Sequence, residues 1–370
     1  MSVQLLLAPA GGGKTAHAIS GIRELRARDG LADPVEGLFA PVWVVLPNFP
    51  QTAAFRRRLA RTGGALGVEV GTFYRLYADV LARAGTPAPR LFGPVQYRLL
   101  RAVVDRLCEE GRLQYYAPLR DKPGFVRALR TLIRELKRAR VRRDDFTAAV
   151  ADQSPRLAEL AAVYAAYQDW LVPSGWTDAE GPGWLATRAL AHAPDLYTDL
   201  ALLVVDGFDE FNPTQLEVLR SLAGRAAETL ITLTGDASTT DVPSALSTGA
   251  ANPGRTTHRR FVRARAALTA ALPNLKPETL KPETAGPDPI LRSLEHRLFE
   301  PLSTAPLPAN GIVEFIEAQD RRQEVRAALR WLKARIVQDG MAPDEVALLA
   351  RDLGPYRPFL DETAAEFGMV

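Results

Sequence analysis

Short apolar runs alternate with helical stretches along the first third of the chain. Buried strands are predicted where apolar residues follow one another closely, at residues 3–8, 41–46 and 68–70. Helices are predicted after each of these runs, at residues 14–28, 51–61 and 73–84. Such an alternation of strand and helix predicts a parallel sheet with right-handed crossovers.

The pattern changes between residues 94 and 192, where helical patterns dominate and no strand is predicted. Residues 126–140 and 157–170 show it most clearly. We expect this region to be a helical insertion between strands of the sheet. The alternation then returns, with a strand at 200–205, a helix at 213–222 and a strand at 229–234.

Two later stretches have the composition of loops. Residues 238–254 are rich in Ser, Thr, Gly and Pro. Residues 276–284 read KPET-L-KPET, and the prolines of this repeat remove backbone donors that a strand or helix needs. We therefore expect the repeat to be a surface loop or linker without regular structure.

A second α/β unit is predicted from about residue 311. Its strands are expected at 312–316 and 345–350, and its helices at 321–338 and 356–367. A doubly wound domain with two strands is incomplete, which suggests a fragment of a longer protein. We expect a first domain in two parts, 1–92 and 196–305, a helical insertion at 93–195, and the start of a second domain at 306–370.

Composition narrows the class of protein. Of the 370 residues, 47% are hydrophobic and 24% charged, as in ordinary soluble proteins. The net charge of +3 permits nucleic-acid binding without arguing for it. The single cysteine, Cys108, excludes an internal disulfide and any multi-cysteine metal site within this chain. No apolar run approaches the ~20 residues that span a bilayer, so we expect a cytoplasmic protein without membrane contact.

A glycine-rich loop between the first strand and the first helix indicates phosphate binding. Its residues are Ala8, Pro9, Ala10, Gly11, Gly12, Gly13, Lys14 and Thr15. Glycines let consecutive N–H groups curl around phosphate oxygens at the positive end of a helix. Lys14 is expected to neutralise the β- and γ-phosphates of ATP, and the Thr15 hydroxyl to bind Mg²⁺.

The loop needs an acid on another strand to hold the metal's water shell. Asp206 ends the run LALLVVD and is the candidate. Active ATPases commonly place a glutamate next, where this chain has Gly207. Asp209 and Glu210 could supply the catalytic carboxylate instead, or could be plain charges before the helix that starts at Pro213. Nucleotide binding is therefore predicted, and rapid hydrolysis is not.

Candidate DNA contacts fall in two groups. Arg127, Arg130, Arg134 and Arg138 are spaced by three and four residues, so they share one face of a helix. That face could neutralise phosphates or could simply be solvated. The second group follows predicted strands, where hydroxyls and aromatic rings could hold a single strand, and consists of Asn48, Phe49, Thr72, Phe73 and Tyr74. Core packing is the alternative for Phe73 and Tyr74.

Several segments together resemble one protein family. The loop AxAGxGKT resembles motif I of superfamily 1 helicases, and VVDGFDEFNPTQ at 204–215 resembles the DGFxxFTPxQ segment of AddB, a component of bacterial AddAB helicase–nucleases. Further similar segments occur in the same order, at 42–60, 70–81, 134–141 and 321–356.

This resemblance implies a P-loop RecA-like sheet with a helical insertion, followed by the start of a second RecA-like domain. It implies an ATP- and DNA-binding component of a helicase/nuclease that acts on single- and double-stranded DNA ends in double-strand-break repair by homologous recombination, with a degenerate motor. The implied partner is an AddA-type helicase subunit in a heterodimer. No PD…(D/E)xK nuclease motif occurs in this chain.

Two other functions stay open at this stage. An active superfamily 1 helicase or translocase would use Asp209 or Glu210 in place of the missing glutamate. A P-loop kinase for a small substrate would need neither the helical insertion nor the second α/β unit.

Overall fold

The computed structural model describes residues 2–29, 41–64, 66–235, 258–280, 288–298, 308, 311–343 and 345–369. It divides into two compact units. The first comprises Met1–Pro287 with Glu295–Pro301, and the second comprises Asp288–Leu294 with Leu302–Val370.

A parallel sheet forms the centre of the first unit. Its six strands among the described residues are β1 (Ser2–Ala8), β2 (Val42–Val45), β3 (Val68–Gly71), β4 (Leu202–Val205), β5 (Glu228–Thr234) and β6 (Leu275–Thr279). They are ordered β3-β2-β4-β5-β1-β6, and every neighbouring pair is parallel. The parallel α/β sheet that the sequence predicts is therefore confirmed.

Helices connect the strands and continue beyond them. They are α1 (Lys14–Asp29), α2 (Phe49–Arg61), α3 (Phe73–Arg83), α4 (Gly93–Glu109), α5 (Pro123–Arg138), α6 (Arg143–Val150), α7 (Pro155–Leu171), α8 (Gly181–His192), α9 (Pro213–Ala223), α10 (Arg259–Ala271), α11 (Pro289–Arg297), α12 (Arg321–Val337) and α13 (Arg357–Glu366). None of the helices in the described ranges is long and apolar enough to cross a membrane.

Apolar side chains cover the sheet on both faces. Successive residues of a strand point to opposite faces, so Leu5 and Leu7 join one buried cluster and Leu6 joins the other. Burial on both faces explains why these strands read as unbroken apolar runs. Trp43 on β2 is part of the first cluster.

Residues 93–192 carry α4 to α8 and lie between β3 and β4 in the chain. The structure describes all of these residues, and none belongs to a strand. The helical content predicted from the sequence is thus confirmed, while the domain boundaries stay predictions. The insertion has its own apolar clusters, around Leu107 and around Tyr167.

The prediction for the proline repeat was wrong over its first copy. Residues 276–279 form most of β6, which pairs with β1 along Leu275–Thr279. Among the described strands, β6 has β1 as its one neighbour and lies at the edge of the sheet. Proline, which has no backbone N–H, is tolerated in an edge strand because only one side of the strand is paired. The second copy, 281–284, and the predicted loop at 238–254 lie outside the described residues.

The second unit contains α12 and α13, packed around Val325, Leu329 and Leu332. The predicted strands at 312–316 and 345–350 were wrong, because no residue described within 311–343 and 345–369 belongs to a strand. Phe315 and Leu349 are 92% and 90% exposed. An apolar run becomes a strand only when neighbouring strands pair with it, and these two have no such ladder here.

Candidate nucleotide-binding site

The glycine-rich loop joins β1 to the N-terminus of α1. Gly11 and Gly13 have φ angles of 71° and 82°, in the left-handed region that favours glycine. A Cβ at Gly12 would lie 2.9 Å from the Ala8 Cβ and 3.0 Å from the Pro9 carbonyl oxygen. Each glycine is therefore needed for the loop's path. The loop leads into the N-terminus of a 16-residue helix, which is the positive end of the helix dipole. The first turn of this helix carries no acidic residue that would offset the positive charge.

The ammonium of Lys14 lies over the loop backbone. Its Nζ donates hydrogen bonds to the carbonyl oxygens of Ala8, at 2.9 Å, and Pro9, at 2.8 Å. An ammonium has three donors, so one is left for a ligand. Burial lowers the pKa of Lys14, and the charges of Asp206 and Glu295 offset part of that effect. A bound anion would favour the charged form of Lys14 further.

Thr15 and Asp206 are in direct contact. The Thr15 hydroxyl donates to Asp206 Oδ2 at 2.8 Å, and the Thr232 hydroxyl donates to Asp206 Oδ1. The carboxylate is buried at the end of β4, and β5, which carries Thr232, lies between β4 and β1 in the sheet. Parallel strands bring their carboxyl ends to one edge, which is why residues so distant in sequence meet here.

A cavity of about 380 Å³ opens beside Lys14 at this edge of the sheet. Asn48, Gln51, Gly207 and Asp209 are among the residues that line it. Clefts at the carboxyl ends of parallel strands are the usual ligand sites of such sheets.

Gly207, which follows Asp206, has a φ of 83°. A Cβ at this position would lie 2.8 Å from Gln51 Oε1. A glutamate here would need a strained backbone and a displaced Gln51. Sequence reasoning did not identify Gln51 as a residue of this cavity. The available signal was Asn48, a typical N-cap residue, which places Gln51 in the first turn of the helix that begins at the end of β2.

Asp209 and Glu210 precede α9. Asp209 lines the cavity, and its Oδ2 accepts a hydrogen bond from Arg260 Nη1 at 3.3 Å. Glu210 is exposed and does not line the cavity. The N-terminus of α9 is capped by Asn212, whose Oδ1 accepts from the backbone N–H of Gln215. Neither carboxylate is therefore needed to cap the helix.

The residues predicted to hold single-stranded DNA lie at the starts of two different helices, α2 and α3. Asn48 Oδ1 accepts from the Gln51 backbone N–H at 3.0 Å and caps α2, and Phe49 is 75% exposed. Thr72 precedes α3 and makes no capping bond with its side chain. The prediction that Phe73 contacts a single strand is corrected, because its ring is buried against Phe208, with centroids 5.3 Å apart, and is not accessible to a base.

Three of the four arginines on the predicted face of α5 line one cleft. Arg127, Arg130 and Arg134 line a cleft of about 430 Å³, while Leu129 and Ile133 are buried on the opposite side of the helix. Arg138 does not line the cleft. Tyr74, which the sequence offers as an aromatic that could stack a base, also lines the cleft. Further lining residues that sequence reasoning missed, because they are distant in the chain, are Arg90, Gln96, Asp178 and Glu180.

Comparisons with known proteins agree on one kind of relative. The chain is 28% identical over 387 residues to a protein of Moorella thermoacetica, covering 100% of this chain and 32% of the relative. It is 25% identical to one of Anoxybacillus flavithermus, covering 99% of this chain and 32% of the relative. It is 26% identical to one of Pelotomaculum thermopropionicum, covering 100% of this chain and 32% of the relative. Each relative is named as the B-type subunit of an ATP-dependent helicase/deoxyribonuclease.

The chain thus spans about a third of the length of the curated relatives it matches. The model of the family described as "ADDB, N-terminal" matches residues 5–248, which is more than half of the 370 residues. The glycine loop, the helical insertion and the segment around Asp206 all fall within this match. The chain therefore belongs to the AddB family and corresponds to its N-terminal part.

Proposed function

We propose that this chain is the ATP- and DNA-binding N-terminal part of the AddB-type subunit of an ATP-dependent helicase/nuclease. In this proposal its sheet is a RecA-like domain, and the region from about residue 306 begins a second one. The complex acts on DNA ends in double-strand-break repair by homologous recombination, with an AddA-type helicase subunit as the heterodimeric partner. The names of its relatives and the contact between Thr15 and Asp206 beside the glycine loop support it.

The residues present fit ATP with Mg²⁺. The loop has no room for a Cβ at Gly12, and it leads into the positive end of α1. Lys14 keeps one N–H for a phosphate oxygen. The Thr15 hydroxyl and the Asp206 carboxylate are the oxygen ligands that Mg²⁺ prefers, directly or through water. The metal would neutralise phosphate charge, and Thr232 would keep Asp206 oriented.

Weak hydrolysis is part of the proposal. The residue after Asp206 is Gly207, which has no carboxylate to polarise water. Its left-handed backbone and the neighbouring Gln51 leave no unstrained place for a larger side chain. Asp209 is engaged by Arg260, and Glu210 is outside the cavity. ATP would then act as a bound ligand that orders this edge of the sheet, with the partner subunit supplying most of the motor activity.

A nucleotide-binding experiment tests the site. Binding of a fluorescent ATP analogue to the 370-residue chain with Mg²⁺ should be lost in Lys14→Ala, while thermal unfolding shows that the variant is folded. Unchanged binding in Lys14→Ala would refute the assignment of the loop. DNA-stimulated ATP turnover by the full-length protein should be absent without its partner, and robust turnover would favour an active translocase.

A further inference from the structure

A second site is suggested by the cleft on the helical insertion, which shares no lining residue with the cavity beside Lys14. Arginine side chains line it from two parts of the chain: Arg127, Arg130 and Arg134 on α5, and Arg90 before α4. A helix rises 1.5 Å per residue, so spacings of three and four residues place the α5 side chains roughly 4.5 and 6 Å apart along the axis. That spacing suits successive phosphates of an extended strand.

These arginines are largely without counter-charges. Among the residues that the structure describes, Arg90, Arg127 and Arg130 form no salt bridge with a carboxylate. Arg134 has one, to Glu135 at 3.5 Å, and both side chains are more than half exposed. Like charges held together without partners repel one another, and a polyanion relieves that repulsion.

The floor of the cleft does not neutralise them. Asp178 lines it, but its carboxylate is bound by Lys137 Nζ at 2.8 and 2.9 Å, and the two side chains are 4% and 3% exposed. The Gly181 backbone N–H and the Tyr167 hydroxyl donate to the same carboxylate. This buried pair is therefore internally balanced, so Asp178 does not offset the charge of the arginines.

Two further features shape the mouth of the cleft. Tyr74 is 48% exposed, and its hydroxyl donates to Glu180 Oε1 at 3.1 Å, which fixes the ring. The Arg130 guanidinium lies against the backbone of Gly93, where a Cβ would be 3.5 Å from Nη1. A fixed aromatic ring beside phosphate-binding cations is the arrangement that binds single-stranded nucleic acid, by stacking one base while holding the backbone.

We propose that this cleft binds a short stretch of single-stranded DNA, with phosphates on Arg90, Arg127 and Arg130 and one base on Tyr74. The inference rests on the proposed function, in that the chain binds DNA, and adds the place and the form of the DNA. Single strands are favoured because the bases of a duplex are stacked on each other and cannot stack on Tyr74. Glu180 opposes phosphate binding by its charge, while it holds Tyr74 in position.

The test measures binding of a short fluorescein-labelled oligothymidylate to the 370-residue chain, by fluorescence anisotropy over a range of salt concentrations. In Arg127→Ala/Arg130→Ala, the slope of log K against log salt should fall by about 0.7 for each lost phosphate contact. Tyr74→Ala should weaken binding about 5- to 150-fold, because base stacking is lost. Tyr74→Phe, which keeps the ring but loses the bond to Glu180, should weaken binding much less than Tyr74→Ala.

Glu180→Gln gives the sharpest outcome, because glutamine can still accept from the Tyr74 hydroxyl but carries no charge. It should bind the strand more tightly than the wild type, a gain that damage to the fold cannot produce. Arg188→Ala is the matched control, since Arg188 is exposed on α8 and does not line the cleft. It should leave the salt slope unchanged.

Three results would overturn the proposal: an unchanged salt slope in the double arginine variant, no gain in Glu180→Gln, or equal binding of a duplex of the same length. If the wild type binds the oligonucleotide and the arginine variants bind equally well, the cleft is wrong while DNA binding by the chain stands. If the wild type binds no DNA at any salt concentration, both proposals fall.

Discussion

The Thr15 hydroxyl donates a 2.8 Å hydrogen bond to Asp206 Oδ2, across 191 positions of sequence. Thr232 donates to the other carboxylate oxygen, Asp206 Oδ1, from β5, which lies between β4 and β1 in the sheet. The three side chains tie the start of α1 to the ends of β4 and β5. The loop and the acid are thereby fixed relative to each other by the sheet itself.

Thr15→Val should remove both the hydrogen bond and the proposed metal ligand. Asp206 Oδ2 is buried, so losing its donor should cost about 1–3 kcal/mol in the free energy of unfolding. Binding of the ATP analogue should lose its Mg²⁺ dependence. Thr15→Ser keeps the hydroxyl and serves as the control in urea unfolding and in titrations with and without Mg²⁺. Full Mg²⁺ dependence in Thr15→Val would remove this residue from the site.

Gly207→Glu should not create an active ATPase. The left-handed φ of 83° should make any side chain there cost about 1–3 kcal/mol in stability. Urea unfolding measures that cost, and phosphate release with DNA present should stay at the background level. The matched control is Gly21→Ala in α1, where a Cβ meets no atom within 4 Å and stability should rise by about 0.5–1 kcal/mol. ATP turnover gained by Gly207→Glu would contradict the proposed reason for weak hydrolysis.

Lys137→Met should destabilise the helical insertion strongly. It leaves the buried Asp178 carboxylate without its cation, which should cost about 3–5 kcal/mol in the free energy of unfolding. Arg75→Met is the control, because Arg75 and Glu69 form a pair in which both side chains are about half exposed. That change should cost at most about 1 kcal/mol. A small effect of Lys137→Met would show that water reaches the pair.

Glu180→Gln should raise stability in a pH-dependent way. Burial raises the pKa of Glu180 above its ordinary 4.5, with the Tyr74 hydrogen bond and Arg138 offsetting part of the effect. The folded state then binds the proton more tightly than the unfolded state, so this contribution to stability is lost as pH rises through the folded pKa. Melting temperatures of the variant and the wild type should converge near about pH 4 and diverge in favour of Glu180→Gln by about pH 8.

The exposed Glu135 is the control for this profile, and Glu135→Gln should change the melting temperature little at either pH. A wild type that is more stable than Glu180→Gln at the higher pH would show that the carboxylate is favourably paired.

The alternation of strands and helices as far as β5, the glycine-rich loop before Lys14 and the arginine face of α5 could be derived from sequence. Each depends on residues close together in the chain: an apolar run, a set of glycines before Lys14, or a spacing of three and four residues. Periodicity of this kind encodes the local backbone and the buried face directly.

Contacts between distant segments decided the rest. Whether residues 276–279 form a strand depended on a free edge beside β1, and whether residues 312–316 form one depended on neighbours that no pattern shows. The burial of Phe73 and the meeting of Arg90, Tyr74 and Glu180 with α5 likewise follow from packing. A sequence specifies which groups each segment carries, and the tertiary structure alone sets which of them come within a few ångströms of one another.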